Sequence, residues 1–255
     1  MRINRLTLKN WLHSVFVYDS GLPMTEITDT FIAPPCHEDI EILWQDAHLV
    51  VINKPAGLLS LSGKNPENYD SVHYRLVRQF PGCTLVHRLD FGTSGIMVVA
   101  RNKSMNAALC RQFSERTVSK MYTALLCGHM PEDDGVITAA IAKDPALFPR
   151  MTLCETRGKP ARSRYRVTGR FRYELNQTLS VPVTRVDLLP ETGRTHQLRI
   201  HCQSAGYPIL GCDLYGGKLQ PGTENVPRMM LHASGLNFIH PRQGTRLQIN
   251  CPAPF

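Results

Sequence analysis

Apolar residues follow two periods along this chain, and the switches between them outline its elements. Leu49-Val50-Val51-Ile52 and Ile96-Met97-Val98-Val99-Ala100 are unbroken apolar runs bounded by polar turns, the pattern of strands covered on both faces. Ile42-Leu43-Trp44 precedes the first run across Gln45-Asp46-Ala47, which predicts a hairpin, and Asn53-Lys54-Pro55-Ala56-Gly57 follows it as a turn. Val72, Leu76 and Phe80 recur at helical spacing, with Asp70 or Ser71 as cap and Pro81-Gly82 as stop. Met105, Leu109 and Phe113 predict a second helix over 104–116, with Arg111 and Arg116 facing out.

Period two sets in at 118–127. Lys120, Tyr122, Ala124 and Leu126 share one strand face, while Ser119, Met121, Thr123 and Leu125 share the other. Another strand spans 181–189, then Glu191-Thr192-Gly193-Arg194 turns and Thr195 caps a helix over 196–205 ended by Gly206 and Pro208. Leu198, Cys202 and Ala205 form its buried side, with Arg199 at the edge of that stripe. Short strands at 229–231, 236–239 and 246–249 surround His240-Pro241. The whole reads as mixed α/β (α+β), with many strands, few helices and no repeats. Residues 1–39 differ: Val15-Phe16-Val17-Tyr18 could form a short strand, and Ala33-Pro34-Pro35 closes the segment. We expect an N-terminal extension and linker there, with the main domain at 40–255.

Composition adds bounds. At 255 residues with 42% hydrophobic and 20% charged residues, the chain has material for a substantial core. No apolar run approaches the roughly 18 residues of a membrane span, and the basic start of the chain has no secretory apolar core, so a cytoplasmic protein is expected. Eight cysteines lack paired spacing and ten histidines lack ligand spacing, which predicts reduced thiols and no metal site. The net charge is +8, and its distribution matters more than its size.

Between 150 and 172 stand eight cations and one acid, Glu155. Arg162, Arg164 and Arg166 share a strand face at a spacing of roughly 6.5–7 Å, suited to successive phosphates of a nucleic acid. The competing reading is a solvated edge strand charged against aggregation.

The densest polar chemistry lies in His87-Arg88-Leu89-Asp90-Phe91-Gly92-Thr93-Ser94-Gly95, which feeds the second apolar run. A short Gly-containing turn entering a buried strand holds side chains firmly at the edge of a core. Asp90 is its carboxylate; the bland reading is a turn cap bonding the amides of Gly92 or Thr93. Asp90-Phe91-Gly92 is not a kinase signature, because no Gly-rich loop precedes it. Gly92-Thr93-Ser94-Gly95 is one residue short of a nucleophile elbow.

Taken with Gly193-Arg194-Thr195-His196-Gln197-Leu198-Arg199-Ile200-His201, the stretch His87-Arg88-Leu89-Asp90-x-x-Thr93-Ser94-Gly95 resembles the RluA-type pseudouridine synthases. Asn53-Lys54-Pro55-x-Gly57, Lys120-Met121-Tyr122, Gly206-Tyr207-Pro208-Ile209-Leu210-Gly211 and Met230-Leu231-His232-Ala233 extend the match in the family's order. The resemblance implies a mixed, largely antiparallel sheet in two fused halves with a central catalytic cleft. It implies isomerisation of uridine in RNA, ribosomal or transfer RNA stem-loops or both, without cofactor or metal, by a chain we expect to be monomeric. By the same resemblance Asp90 is the catalytic carboxylate, Tyr122 the ring on the target uracil and Arg199 the basic partner of the aspartate. Arg88 fills the gap left by the extracted base, and Arg194, His196 and the face of Arg162, Arg164 and Arg166 are further candidates for RNA contact.

The residue types suit that chemistry independently. A carboxylate must stay charged where desolvation penalises charge, and a guanidinium offsets this. A flat ring lets a detached base turn without escaping. A uridine inside RNA must be flipped out to reach the carboxylate. The scaffold with its catalysis dispensable, as an RNA-binding or assembly factor, is the second reading.

Overall fold

A computed structural model describes residues 31–147, 149–216 and 226–255. The strand expected at Val15–Tyr18 lies outside the described residues. The first apolar run and its partner form the predicted hairpin, β1 (Glu41–Gln45) with β2 (Leu49–Lys54). Asp46 closes it by accepting the His48 and Leu49 amides at 2.7 Å each. The second apolar run is the body of β4 (Ser94–Ala100), fully buried along its length and paired antiparallel with β2 from Leu49↔Ala100 to Lys54↔Gly95. β3 (Thr84–Leu85) flanks β4.

Two helices explain why these strands carry no polar alternation. Val50, Ile52, Met97 and Val99 pack against Val72 and Leu76 of α1 (Val72–Gln79) and against Phe80. Leu49, Val51, Ile96 and Val98 pack against Leu109 of α2 (Lys103–Ser114) on the other face. Ser71 caps α1, its Oγ accepting the Tyr74 amide at 3.1 Å, and Asp70 instead pairs with Arg75. Asn102 caps α2, a start one residue earlier than the apolar spacing predicts, and Arg116 ends the following turn at φ 59°.

The remaining strands are β5 (Ser119–Cys127), β6 (Asp134–Lys143), β7 (Met151–Leu153), β8 (Lys159–Glu174), β9 (Ser180–Pro190), β10 (Leu231–Ile239) and β11 (Arg246–Asn250). Among the described residues they join one mixed, mostly antiparallel sheet ordered β1-β2-β4-β10-β5-β9-β8-β6-β7. β11 pairs with β10 outside this path. α3 (Gln197–Ser204) lies at the β6–β8 end, so the halves differ in the helices that cover them. β6 and β7 fall where the pattern predicted no element, because alanine and glycine blur the alternation there. The two short strands expected over 229–239 are one, β10, whose small residues Ala233, Ser234 and Gly235 run beside β5 with a bulge.

Three further expectations are corrected. The helix after β9 starts at Gln197, and Thr195 does not cap it. His196 holds the cap position at φ 54° with no side-chain cap, and the Gln197 side-chain Oε1 accepts the Arg194 amide at 3.0 Å. Ala205 is exposed, while Gln197 through Cys202 are buried all round, so an edge-of-stripe placement understates how deeply Arg199 sits. β8 is interior, between β6 and β9, which removes the edge-strand explanation of its arginines.

The halves meet where β10 pairs parallel with β4 and antiparallel with β5. Ala233 stands opposite Gly95 on one side and Tyr122 on the other. Gly95 has φ 110°, and a Cβ there would lie 2.4 Å from the Ala233 carbonyl oxygen. Only glycine permits this approach. Residues 31–39 also touch the body: the Ala33 amide donates to Asn68 at 2.8 Å, and Arg75 donates to the carbonyls of Cys36 and Glu38. All eight cysteines carry free thiols.

Two buried histidines make the fold sensitive to acid. His232 links Ser94 (2.7 Å) to the Cys251 carbonyl (3.1 Å), and His201 contacts Ser163 at 3.0 Å. Burial lowers both to a pKa of about 4. The unfolded chain protonates them near pH 6.5, so their stabilising effect is complete above that value and is lost as pH falls towards 4. The thermal midpoint should therefore drop between pH 7 and pH 5, and His201→Gln should flatten that dependence. A midpoint independent of pH in this window contradicts the assignment.

Candidate active site

The Asp90 turn is clamped from both sides before its carboxylate meets anything. Ser60 Oγ donates to the Leu89 carbonyl at 2.7 Å and accepts the Leu89 amide at 3.1 Å. The Thr93 amide closes the turn on the Asp90 carbonyl at 3.1 Å, and the Gly57 amide holds the Phe91 carbonyl at 2.9 Å. Beneath lies Lys54, wholly buried, its ammonium donating to the carbonyls of Pro55 (2.8 Å), Leu58 (2.7 Å) and Phe91 (3.3 Å). Burial lowers its pKa to about 7. This cation braces the Pro55–Leu58 turn against the Asp90 turn. The amides of Gly92 and Thr93 do not hold the Asp90 side chain, which faces a cavity instead.

The cavity has a volume of about 310 Å³, and Asp90, Tyr122, Arg199, His196, Arg88 and Arg194 all line it. Arg199, delivered by the buried turn of α3, places Nη1 3.6 Å from Asp90 Oδ2. Its Nη2 bonds Asp213, its Nε donates to Cys212 Sγ at 3.3 Å, and its guanidinium lies 5.3 Å from the centre of the Tyr215 ring. Burial works against its charge, but Cys212, Asp90 and Asp213 together hold its pKa above the ordinary value. His196 Nε2 lies 3.9 Å from the same Asp90 oxygen, and its Nδ1 meets the Tyr215 hydroxyl at 2.9 Å. That hydroxyl also accepts the Met151 amide at 2.7 Å, which fixes the oxygen that His196 Nδ1 meets. Burial lowers the His196 pKa despite Asp90, which favours the neutral ring.

Tyr122 enters from β5, packed against both halves of the core. Burial, then the charge of Asp90, raises its pKa, so the phenol stays protonated. The predicted site residues from three distant segments thus converge: 88–90, 122 and 194–199.

The arginine stripe does not join them. Arg162 and Arg164 both pair with Glu191, at 2.6 and 3.1 Å, and Arg166 pairs with Asp187 at 2.9 Å, all outside the cavity. The strand spacing was right, but two acids on and beyond β9, Asp187 and Glu191, pair with all three arginines. Sequence reasoning missed Lys54 as a brace and Asp213 and Tyr215 as the backing of Arg199 and His196. Lys54 stood in a motif noted for its resemblance, and Asp213 and Tyr215 lie two and four residues beyond Gly211, yet only the fold shows what they touch. Among the described residues, no group of acids, histidines and cysteines is placed to hold a metal, and no helix is long and apolar enough to cross a membrane.

A carboxylate opposed by a buried guanidinium, a protonated aromatic wall and further cations in one cavity form the site of a carboxylate-centred enzyme. Comparison with known proteins makes this specific. Residues 48–204 match the family described as RNA pseudouridylate synthase. The chain is 41% identical over 215 residues to the dual-specificity RNA pseudouridine synthase RluA of Yersinia pestis, covering 84% of this chain and 99% of that protein. It is 40% identical over 222 residues to the enzyme of that name from Escherichia coli K12, covering 87% and 97%. The solved structure of human RNA pseudouridylate synthase domain containing 1 superposes with a TM-score of 0.71 at 32% identity, covering 87% of this chain and 86% of that one. The chain belongs to the RNA pseudouridylate synthase family, whose members are isomerases.

Lys54→Met should remove about 1–3 kcal/mol of unfolding free energy by leaving buried carbonyls unpaired. Urea denaturation measures this, and an unchanged midpoint would mean the brace is dispensable.

Proposed function

We propose that the cavity isomerises uridine to pseudouridine within structured RNA, with Asp90, Tyr122 and Arg199 as its catalytic residues. The observation that carries this reading is the Asp90–Arg199 pair at 3.6 Å in a cavity walled by Tyr122. The reaction breaks the bond between uracil N1 and ribose C1′, turns the base, and joins C5 to C1′; C5 loses a proton and N1 gains one. Asp90 acts beside the sugar or the ring as nucleophile or base, and Arg199 balances its charge. The Tyr122 ring stacks on the base while it turns, and its protonated hydroxyl is available as a donor. The uridine enters flipped out of the RNA, with Arg88 at the rim taking its vacated place and Arg194 and His196 lining the entrance.

The related enzymes carry dual specificity in their names, and we infer the same kind of substrate here: ribosomal RNA, transfer RNA or both, presented as a stem-loop. The synthase unit is residues 40–255, acting in the cytoplasm as a monomer without metal or cofactor.

Pseudouridine mapping of RNA from cells carrying wild type or Asp90→Asn tests the assignment. The modified positions should vanish in the mutant, and persistence of all of them sinks it. Tyr122→Phe should lower turnover with RNA affinity nearly kept, whereas equal turnover leaves the hydroxyl no role. Arg199→Ala should abolish turnover while RNA still binds, read by single-turnover kinetics beside a binding titration.

A further inference from the structure

A second groove, of about 260 Å³, adjoins the catalytic cavity, and the two share Phe113, Lys120, Thr192, Gly193 and Arg194 as a common wall. Arg116 lines only the outer groove. Lys120 is the notable member. It precedes Tyr122 by two residues on β5, so ammonium and ring occupy the same strand face. Its side chain is half-buried and has no hydrogen bond or ion pair among the described residues. Burial and then Arg116 act on it in the same direction, against its charge.

Two more deeply buried cations are compensated: Lys54 has three carbonyls, and Arg199 faces Asp90 and Asp213. Glu191, the acid lining the outer groove, is held by Arg162 and Arg164. The side chain of Arg116, like that of Lys120, meets no acceptor among the described residues, so uncompensated charge gathers where a polymer must pass. A half-buried ammonium without an acceptor is costly unless an anion completes it.

We infer that this outer groove seats a backbone phosphodiester flanking the extruded uridine, with Lys120 as its main donor and Arg116 as its outer cation. The inference rests on the isomerase reading, because a flanking phosphate presupposes a nucleotide in the neighbouring cavity. It places the RNA backbone at the end of α2, beside the Glu191 that Arg162 and Arg164 hold.

The test uses the full chain and a synthetic RNA stem-loop containing a uridine that the wild type converts, with binding followed by fluorescence anisotropy across a salt series. Lys120→Met should weaken binding about tenfold and lower the slope of log affinity against log salt by about 0.7–0.9, the loss of one phosphate contact. Lys120→Arg should restore the slope, which separates lost charge from misfolding. A neutral methylphosphonate at the linkage flanking the uridine should reproduce the loss in wild type and add little in Lys120→Met. A full slope in Lys120→Met, or losses from variant and methylphosphonate that simply add, overturns the site. Turnover keeps the two readings apart: a wild type that converts no uridine refutes the isomerase, whereas conversion with an unaltered Lys120→Met slope refutes only the phosphate site.

Discussion

One guanidinium spans the cleft. Arg199 belongs to α3, packed at the β6–β8 end of the sheet, while Asp90 hangs from the turn that enters β4 in the other half. An arginine this buried is tolerated only because carboxylates stand on two sides of it, Asp90 and Asp213. The requirement is mutual, since the carboxylate in the cavity has no amide donor of its own to balance it. The pair therefore fixes how the halves face each other as well as the electrostatics of the chemistry.

The second constraint is steric. β10 threads between the strand that follows Asp90 and the strand that carries Tyr122, with Ala233 directly between Gly95 and Tyr122. Strand spacing is then set by backbone contact, because no side chain fits at Gly95. Carboxylate and ring are thereby carried into one cavity from strands held on either side of β10. Lys54 and Ser60 lock the Asp90 turn from beneath, so a loop carries the reacting group with the rigidity of a core element.

Charge shows how proximity in sequence misleads. The most one-signed stretch of the chain, 150–172, presents its arginines to Glu191 and Asp187, which lie beyond it in sequence and beside it in the sheet. Lys120 and Arg116, neither with an acid partner among the described residues, stand outside that stretch and meet in one groove only through the fold. Counting charges along the chain measures their density, whereas pairing across strands decides which of them remain available to a ligand.

Local chemistry made much of this protein legible from its residues. The apolar runs had to be two-faced strands, Ser71 was correctly among the caps for its helix, and the alternation over 118–127 placed Lys120 and Tyr122 on one face. The motifs around Asp90, Tyr122 and Arg199 pointed to the family and its reaction, because each is a contiguous string whose residue types the chemistry demands. Tertiary structure decided the rest: that β8 is interior, that small residues at 233–235 continue a strand, that His196 turns left-handed, and that Asp213 and Tyr215 stand behind Arg199 and His196. Those outcomes depend on neighbours brought close by folding, and burial and pairing across a sheet have no period along the chain from which they could be read.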